Sequence, residues 1–312
     1  MKIGFLFPGQ GSQAVGMGKD LYENYAEARV VYDKVEEITG MPIKKLSFEG
    51  PEEELNKTQN TQVAILTQSL AILAILKKHN IQAKMSAGLS LGEYTALIED
   101  GIFDFEEGVK LVQKRGEIMQ NLTPQGNWKM AAILGLNEEK VQEACNQAQG
   151  FAVPANFNTI GQIVISGEEE AVTKAGEIAK ELGAKKVSIL NTAGPFHTEK
   201  LNECSKVLKE EISKTKINTK EAKVVKNIDG KLYKQADDIA QILADHIMNP
   251  VRFSGNLQTM YDNGIDTFIE IGPGKTLSGF VKRMNFERPV QMKNINNVET
   301  LEQVIKEVVG NE

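Results

Sequence analysis

The pentapeptide Gly88-Leu89-Ser90-Leu91-Gly92 fits G-x-S-x-G, the spacing of a serine carried on a sharp strand-to-helix turn. The reason for the spacing is steric. A strand that reverses into a helix within about three residues crowds its neighbours and leaves the serine on a strained, exposed tip. Glycines at 88 and 92 remove the side chains that would clash. The helix that follows aims its first amides at whatever the serine attacks, so the Leu91 N–H is a candidate oxyanion donor. The glycine-rich turn Pro8-Gly9-Gln10-Gly11-Ser12-Gln13 reads either as a plain strand-to-helix turn or as a second source of backbone N–H, from Gln10, facing Ser90. A serine hydroxyl needs a base to become a useful nucleophile. The chain offers His79, His197 and His246. His79 follows Lys77 and Lys78 on a helix flank, the setting of a solvated ring. Arg115 falls in an apolar helical stripe with Val109, Val112 and Met119; position alone leaves it either a solvated charge or an anion ligand.

Two phosphate-binding patterns fail on inspection. Gly9-x-Gly11-x-x-Ala14 with Asp33 imitates a dinucleotide fingerprint, but residues 25–31 continue a helix where that motif needs a second strand. Gly272-Pro273-Gly274-Lys275-Thr276 resembles the tail of a P-loop, but Ile269 stands where its first glycine belongs. A net charge of −6 argues against a general nucleic-acid binder. Cys145 and Cys204 are too few for a disulfide framework and fit a reducing, cytoplasmic setting; three histidines are too few for a clustered zinc site. No signal peptide is visible, and the longest apolar run, residues 71–76, is too short to span a bilayer.

The elements that must position these residues are legible from periodicity. Ile3 to Phe7 reads as a buried strand, Lys19 to Thr39 as a helix, and 49–56 as an acidic connection. Gln59 to Asn80 is a helix that supports the core. An extended run over Ile81 to Met85 leads into the serine turn, and a helix over Glu93 to Glu99 follows. Asp104 to Asn121 is a further helix. Between residues 124 and 190 the order becomes β-α-β-β-α-β, the ferredoxin-like motif, inserted into a larger domain of residues 1–123 and 191–312. The expected fold is α/β: a hydrolase-like core with a parallel sheet flanked by helices, plus an inserted ferredoxin-like α+β subdomain.

Taken in order, these stretches resemble the malonyl-CoA:acyl carrier protein transacylases almost end to end. The resemblance rests on Phe7 to Gln13, Gly88 to Tyr94, Gln113 to Met119, Asn156 to Asn158 with Gly161 to Gly167, and Gly194 to His197. It implies malonyl transfer from malonyl-CoA to the phosphopantetheine thiol of acyl carrier protein through a malonyl-serine, supplying fatty-acid synthesis. No cofactor is permanently bound, and a monomer is the family expectation. Ser90 would be the nucleophile and His197 its base, oriented by the backbone carbonyl of His246. The amides of Leu91 and Gln10 would form the oxyanion hole, and Arg115 would grip the malonyl carboxylate. Gln62, Asn156 and Phe196 are weaker pocket candidates, and Phe196 resembles the malonyl-selective form. The chain departs from the family at Leu89, usually His, at His246, often Gln, and at Val63, often Pro. The competing readings are a serine hydrolase or thioesterase using the same Ser90 and His197, and a trans-acting acyltransferase of polyketide synthesis.

Overall fold

A computed structural model describes residues 1–190 and 194–310. Asn191-Thr192-Ala193, where the sequence places the return to the larger domain, lies outside the described residues. The helices are α1 (Lys19–Asn24), α2 (Ala26–Thr39), α3 (Ile43–Phe48), α4 (Glu52–Leu55), α5 (Thr58–Lys78), α6 (Leu91–Glu99), α7 (Phe105–Leu122), α8 (Glu138–Gln147), α9 (Glu169–Glu181), α10 (Asn202–Lys214), α11 (Ile239–Met248), α12 (Phe253–Asp262), α13 (Thr276–Arg283) and α14 (Val298–Val309). The strands are β1 (Ile3–Phe7), β2 (Met85–Gly88), β3 (Trp128–Leu134), β4 (Ala152–Thr159), β5 (Gln162–Glu168), β6 (Lys186–Leu190), β7 (Thr267–Ile271) and β8 (Gln291–Ile295).

They form two four-stranded sheets. The first, in order β2-β1-β7-β8, is wholly parallel. Its inner strands β1 and β7 are buried at every position, as strands covered on both faces must be. The carboxyl ends of β1 and β2 lie side by side, with Phe7 paired to Gly88, so the Gln10 turn and the Ser90 turn open at the same edge. That edge is where ligands bind in open parallel sheets.

The second sheet, in order β4-β5-β3-β6, is antiparallel, and with α8 and α9 it has the ferredoxin-like topology expected from the element order. Period-two alternation separates its faces. Ala131, Ile133, Ile163 and Ile165 pack in one core with Val141 of α8 and Val172 of α9. Met130, Ala132 and Val164 point the other way, joining the main core and lining a cleft.

Several boundaries differ from the sequence reading. The helix expected over 19–39 breaks at Tyr25, which is extended (φ −123°, ψ 125°) and separates α1 from α2. The acidic connection holds the one-turn helix α4, and α3 precedes it. The strand before the serine turn is not 81–85 but Met85–Gly88, because its pairing with β1 begins at Gly4 and Met85. Helix α5, at 21 residues, is long and apolar enough by composition to cross a membrane, but 83% of its apolar 18-residue window is buried inside the fold.

Candidate active site

The turn after β2 has the geometry that its sequence predicts. Ser90 adopts φ 54° and ψ −102°, a conformation costly for an L residue and found where the surroundings enforce it. A Cβ at position 88 would stand 1.8 Å from the Gly92 carbonyl carbon, and one at position 92 would stand 2.1 Å from the Phe7 oxygen. Only glycine fits either place. Across the cleft a Cβ at position 9 would lie 2.4 Å from the Leu89 oxygen, so the Gln10 turn packs directly against the serine turn.

The fold brings Ser90, His197, Arg115 and Gln62 together. Ser90 Oγ lies 2.9 Å from His197 Nε2. His197 Nδ1 lies 3.0 Å from the carbonyl oxygen of His246. A carbonyl only accepts, so Nδ1 carries the proton and Nε2 is left bare toward the serine. The His246 ring stacks on the His197 ring at 5.1 Å. Burial, aided by the neighbouring His246 ring, lowers the His197 pKa to about 3, so its imidazole is neutral near pH 7.

Arg115 is only 1% exposed, which excludes a solvated helix charge. One prong of its guanidinium donates to Gln62 Oε1 at 2.6 Å, the other to Ser90 Oγ at 3.1 Å. The guanidinium also lies over the Tyr94 ring, 5.1 Å from its centre. Gln62 is turned by its own donation to Met119 Sδ at 3.3 Å. A cleft of about 470 Å³ opens over Ser90, His197 and Arg115, lined also by Gln10, Leu89, Leu91, Asn156 and Phe196; Gln62, expected in the pocket, is fully buried behind Arg115 and does not line it. Among the described residues, the amides of Leu91 and Gln10 have no hydrogen-bond partner. His79 is remote from this constellation, exposed at the end of α5. Among the described residues, no group of His, Cys, Asp and Glu is placed to hold a metal ion.

Sequence reasoning missed a buried polar cluster behind the turn. Glu93, in the first turn of α6, is fully buried. Its Oε1 accepts from the Tyr233 hydroxyl at 2.8 Å and the Asn227 amide at 3.2 Å. His246 Nδ1 lies 2.9 Å from its Oε2. Asn227 reaches the serine turn itself, accepting from the Ser90 N–H at 2.8 Å and donating to the Gly88 carbonyl at 2.6 Å. The sequence shows a short strand at Val224-Val225 and a turn at Asp229-Gly230. Nothing local to that stretch points at residue 90.

Comparison with known proteins first gives the class. A family model described as an acyl transferase domain matches residues 4–311. The malonyl CoA-acyl carrier protein transacylase of Bacillus subtilis (strain 168) is 41% identical over 308 residues, covering 98% of this chain and 96% of its own. The crystal structure of the malonyl CoA-acyl carrier protein transacylase from Clostridium perfringens has a TM-score of 0.93 at 41% identity, covering 100% of this chain and 98% of that one. A malonyl-transacylase solved in complex with its type II PKS acyl-carrier protein also has a TM-score of 0.93, at 33% identity, covering 98% of this chain and 100% of that one. The chain belongs to the malonyl CoA-acyl carrier protein transacylase family.

Proposed function

We propose that this chain moves a malonyl group from malonyl-CoA to the phosphopantetheine thiol of an acyl carrier protein by a two-step exchange through Ser90. The observation that carries this is the buried Arg115 guanidinium 3.1 Å from the nucleophile's oxygen. A fixed, desolvated fork beside a serine suits an acyl group that bears its own carboxylate. In malonyl that carboxylate is one methylene away from the carbon under attack. A hydrolase of simple acyl groups has no use for such a charge.

In the first half, Ser90 Oγ attacks the thioester carbon and its proton passes to His197 Nε2. The amides of Leu91 and Gln10 receive the oxyanion, each worth about 3–4 kcal/mol in the transition state. The C–S bond then breaks, and His197 returns the proton to the departing CoA thiolate. In the second half the carrier's thiol gives its proton to His197 and attacks the malonyl ester. That ester breaks, and Ser90 recovers its proton. The carboxylate displaces Ser90 Oγ from Arg115, freeing the hydroxyl for His197. Phe196 and Asn156 bound the acyl cleft, a bulky ring at 196 leaving little room for a branched acyl chain.

The division into a large domain of 1–123 with 191–312 and a small one of 124–190 is supported by two sheets that share no strand. All the groups named come from one chain, so a single copy suffices. Both cysteines are free and buried, which supports a reducing, cytoplasmic setting.

Incubation with malonyl-CoA followed by intact-mass measurement tests the reading. A malonyl adduct on Ser90, stable in water and removed by a carrier thiol, is the expected result. An adduct lost to water means a hydrolase, and no adduct removes the enzyme reading. The pH dependence of acylation follows from His197. Its neutral form is the base, and its pKa lies near 3. The acid limb of single-turnover acylation therefore falls well below the ordinary imidazole value near 6.5. Arg115 is one cause of the depression, so Arg115→Ala moves that limb upward. A wild-type limb at 6.5 would sink this account. The same shift bears on stability. Between about 3 and 6.5 the unfolded chain takes a proton that the folded chain refuses, so stability falls as pH falls through that window.

Substitution of His246 separates its backbone from its side chain. His246→Gln keeps the carbonyl and puts an amide near Glu93, and transfer stays within about tenfold of wild type. His246→Ala also keeps the carbonyl but leaves the buried Glu93 carboxylate short of a partner, a stability loss of about 1–3 kcal/mol. If His246→Gln loses as much activity as His197→Ala, the ring does the orienting and not the carbonyl.

A further inference from the structure

We infer that Asn227 is a positioning residue for the nucleophile: its side-chain amide clamps the peptide groups on either side of Leu89 and so sets the direction in which Ser90 presents its hydroxyl. The inference rests on the reading of Ser90 given above. The strained backbone at Ser90 needs a restraint, because a residue at φ 54° and ψ −102° relaxes unless its surroundings over-determine it. Two glycines make that conformation possible, but they do not hold it.

Asn227 supplies the hold. Its Oδ1 accepts the Ser90 N–H at 2.8 Å, and its Nδ2 donates to the Gly88 carbonyl at 2.6 Å. One rigid, planar amide thus fixes the groups entering and leaving Leu89, which limits rotation of the peptide plane that carries the serine. The orientation of that amide is itself determined. Asn256, turned so that its nitrogen donates to the carbonyls of Lys226 at 2.9 Å and Arg252 at 3.1 Å, presents its oxygen to Asn227 Nδ2 at 2.9 Å. The Gly88 carbonyl can only accept, so it demands the same orientation. The Asn227 backbone is anchored as well. Its N–H donates to Glu93 Oε1 at 3.2 Å, and its carbonyl accepts from the Arg252 N–H at 2.7 Å. Glu93 rides on α6, the helix that the serine turn begins, so the clamp and the turn share one frame.

The clamp has a second effect. It occupies the amide of Ser90 itself, so the nucleophile's own N–H is withdrawn from the oxyanion and the bare amides at 91 and 10 remain to receive it. A serine that turned away from the clamp would alter its 2.9 Å approach to His197.

The test is single-turnover acylation of Asn227→Ala and Asn227→Asp by malonyl-CoA and by acetyl-CoA, with circular dichroism and thermal melting to confirm folding. Misplacement of a reacting group by about 1 Å can cost about 100-fold. Asn227→Ala should lower the rate at saturating malonyl-CoA by at least about tenfold and leave KM within about threefold. The malonyl-to-acetyl ratio should stay unchanged, because a misaimed hydroxyl serves both acyl groups badly. Asn227→Asp keeps the shape and the acceptor for Ser90 N–H but loses the donor to Gly88, and should fall between Asn227→Ala and wild type. If Asn227→Ala does not fold, Asn227→Asp carries the test alone. A folded variant that acylates within about twofold of wild type, or whose loss lies wholly in KM, overturns the inference. Absence of any adduct in the wild type instead overturns the Ser90 reading beneath it.

Discussion

Ser90→Ala, His197→Ala and the double variant should lose malonyl transfer by nearly the same factor, on the order of 10⁶ as for other serine–histidine pairs that act as a unit. The 2.9 Å contact between Oγ and Nε2 makes each residue useless without the other, so a second deletion has little left to remove. Ser90→Ala forms no adduct under any condition. His197→Ala slows both halves, since the same imidazole is base and then acid in each. The measurement is transfer from malonyl-CoA to carrier protein, with intact mass reporting the adduct. Losses that multiply in the double variant would mean that the two groups act separately and that the dyad is wrong. All three variants should fold: Ser90 occupies a tip, and alanine at 90 preserves the backbone that the glycines permit.

Arg115→Ala should depress malonyl transfer by roughly two to almost four orders of magnitude and leave acetyl transfer unchanged or raised. The size follows from breaking a desolvated charge pair, roughly 3–5 kcal/mol, at 1.36 kcal/mol per decade. Acetyl has no carboxylate to strand, and it gains the space the arginine leaves. Arg115→Lys should fall between, since an ammonium keeps the charge without the two-pronged geometry. The ratio of malonyl to acetyl turnover on one carrier protein decides it. An unchanged ratio would remove the carboxylate clamp and, with it, the chemical basis for malonyl as the substrate.

The sequence revealed much of this site because its parts are local. The pattern at Gly88 to Gly92 dictates a turn by excluded volume, and the turn alone aims an amide at the serine. The ferredoxin-like unit was legible because its strands alternate and its helices keep their period. What position and spacing alone leave hidden, apart from the family resemblance that points to Arg115, is non-local. Arg115 on α7 looks like any helix arginine until the fold sets Gln62 of α5 beside it, 53 positions away in the chain. Asn227 and Glu93 meet 134 positions apart, and no periodicity reports such a bond. The break at Tyr25 escaped because tyrosine is no helix breaker, and helix propensity is a weak guide to single boundaries. The start of β2 escaped because a short buried strand takes its register from its neighbour.

Much of the proposed machinery is main chain: the amides of residues 10 and 91, which border the cleft, and the carbonyl of residue 246, buried behind His197. A codon change cannot delete a carbonyl, and it deletes an amide only by writing proline. At 91 that route is narrow, since proline disfavours the unusual backbone that Ser90 must hold. An inhibitor drawing its affinity from those atoms would meet few escape mutations. One that leaned on the side chains of Leu89 or Phe196 would leave the target population many ways to evade it while keeping its chemistry.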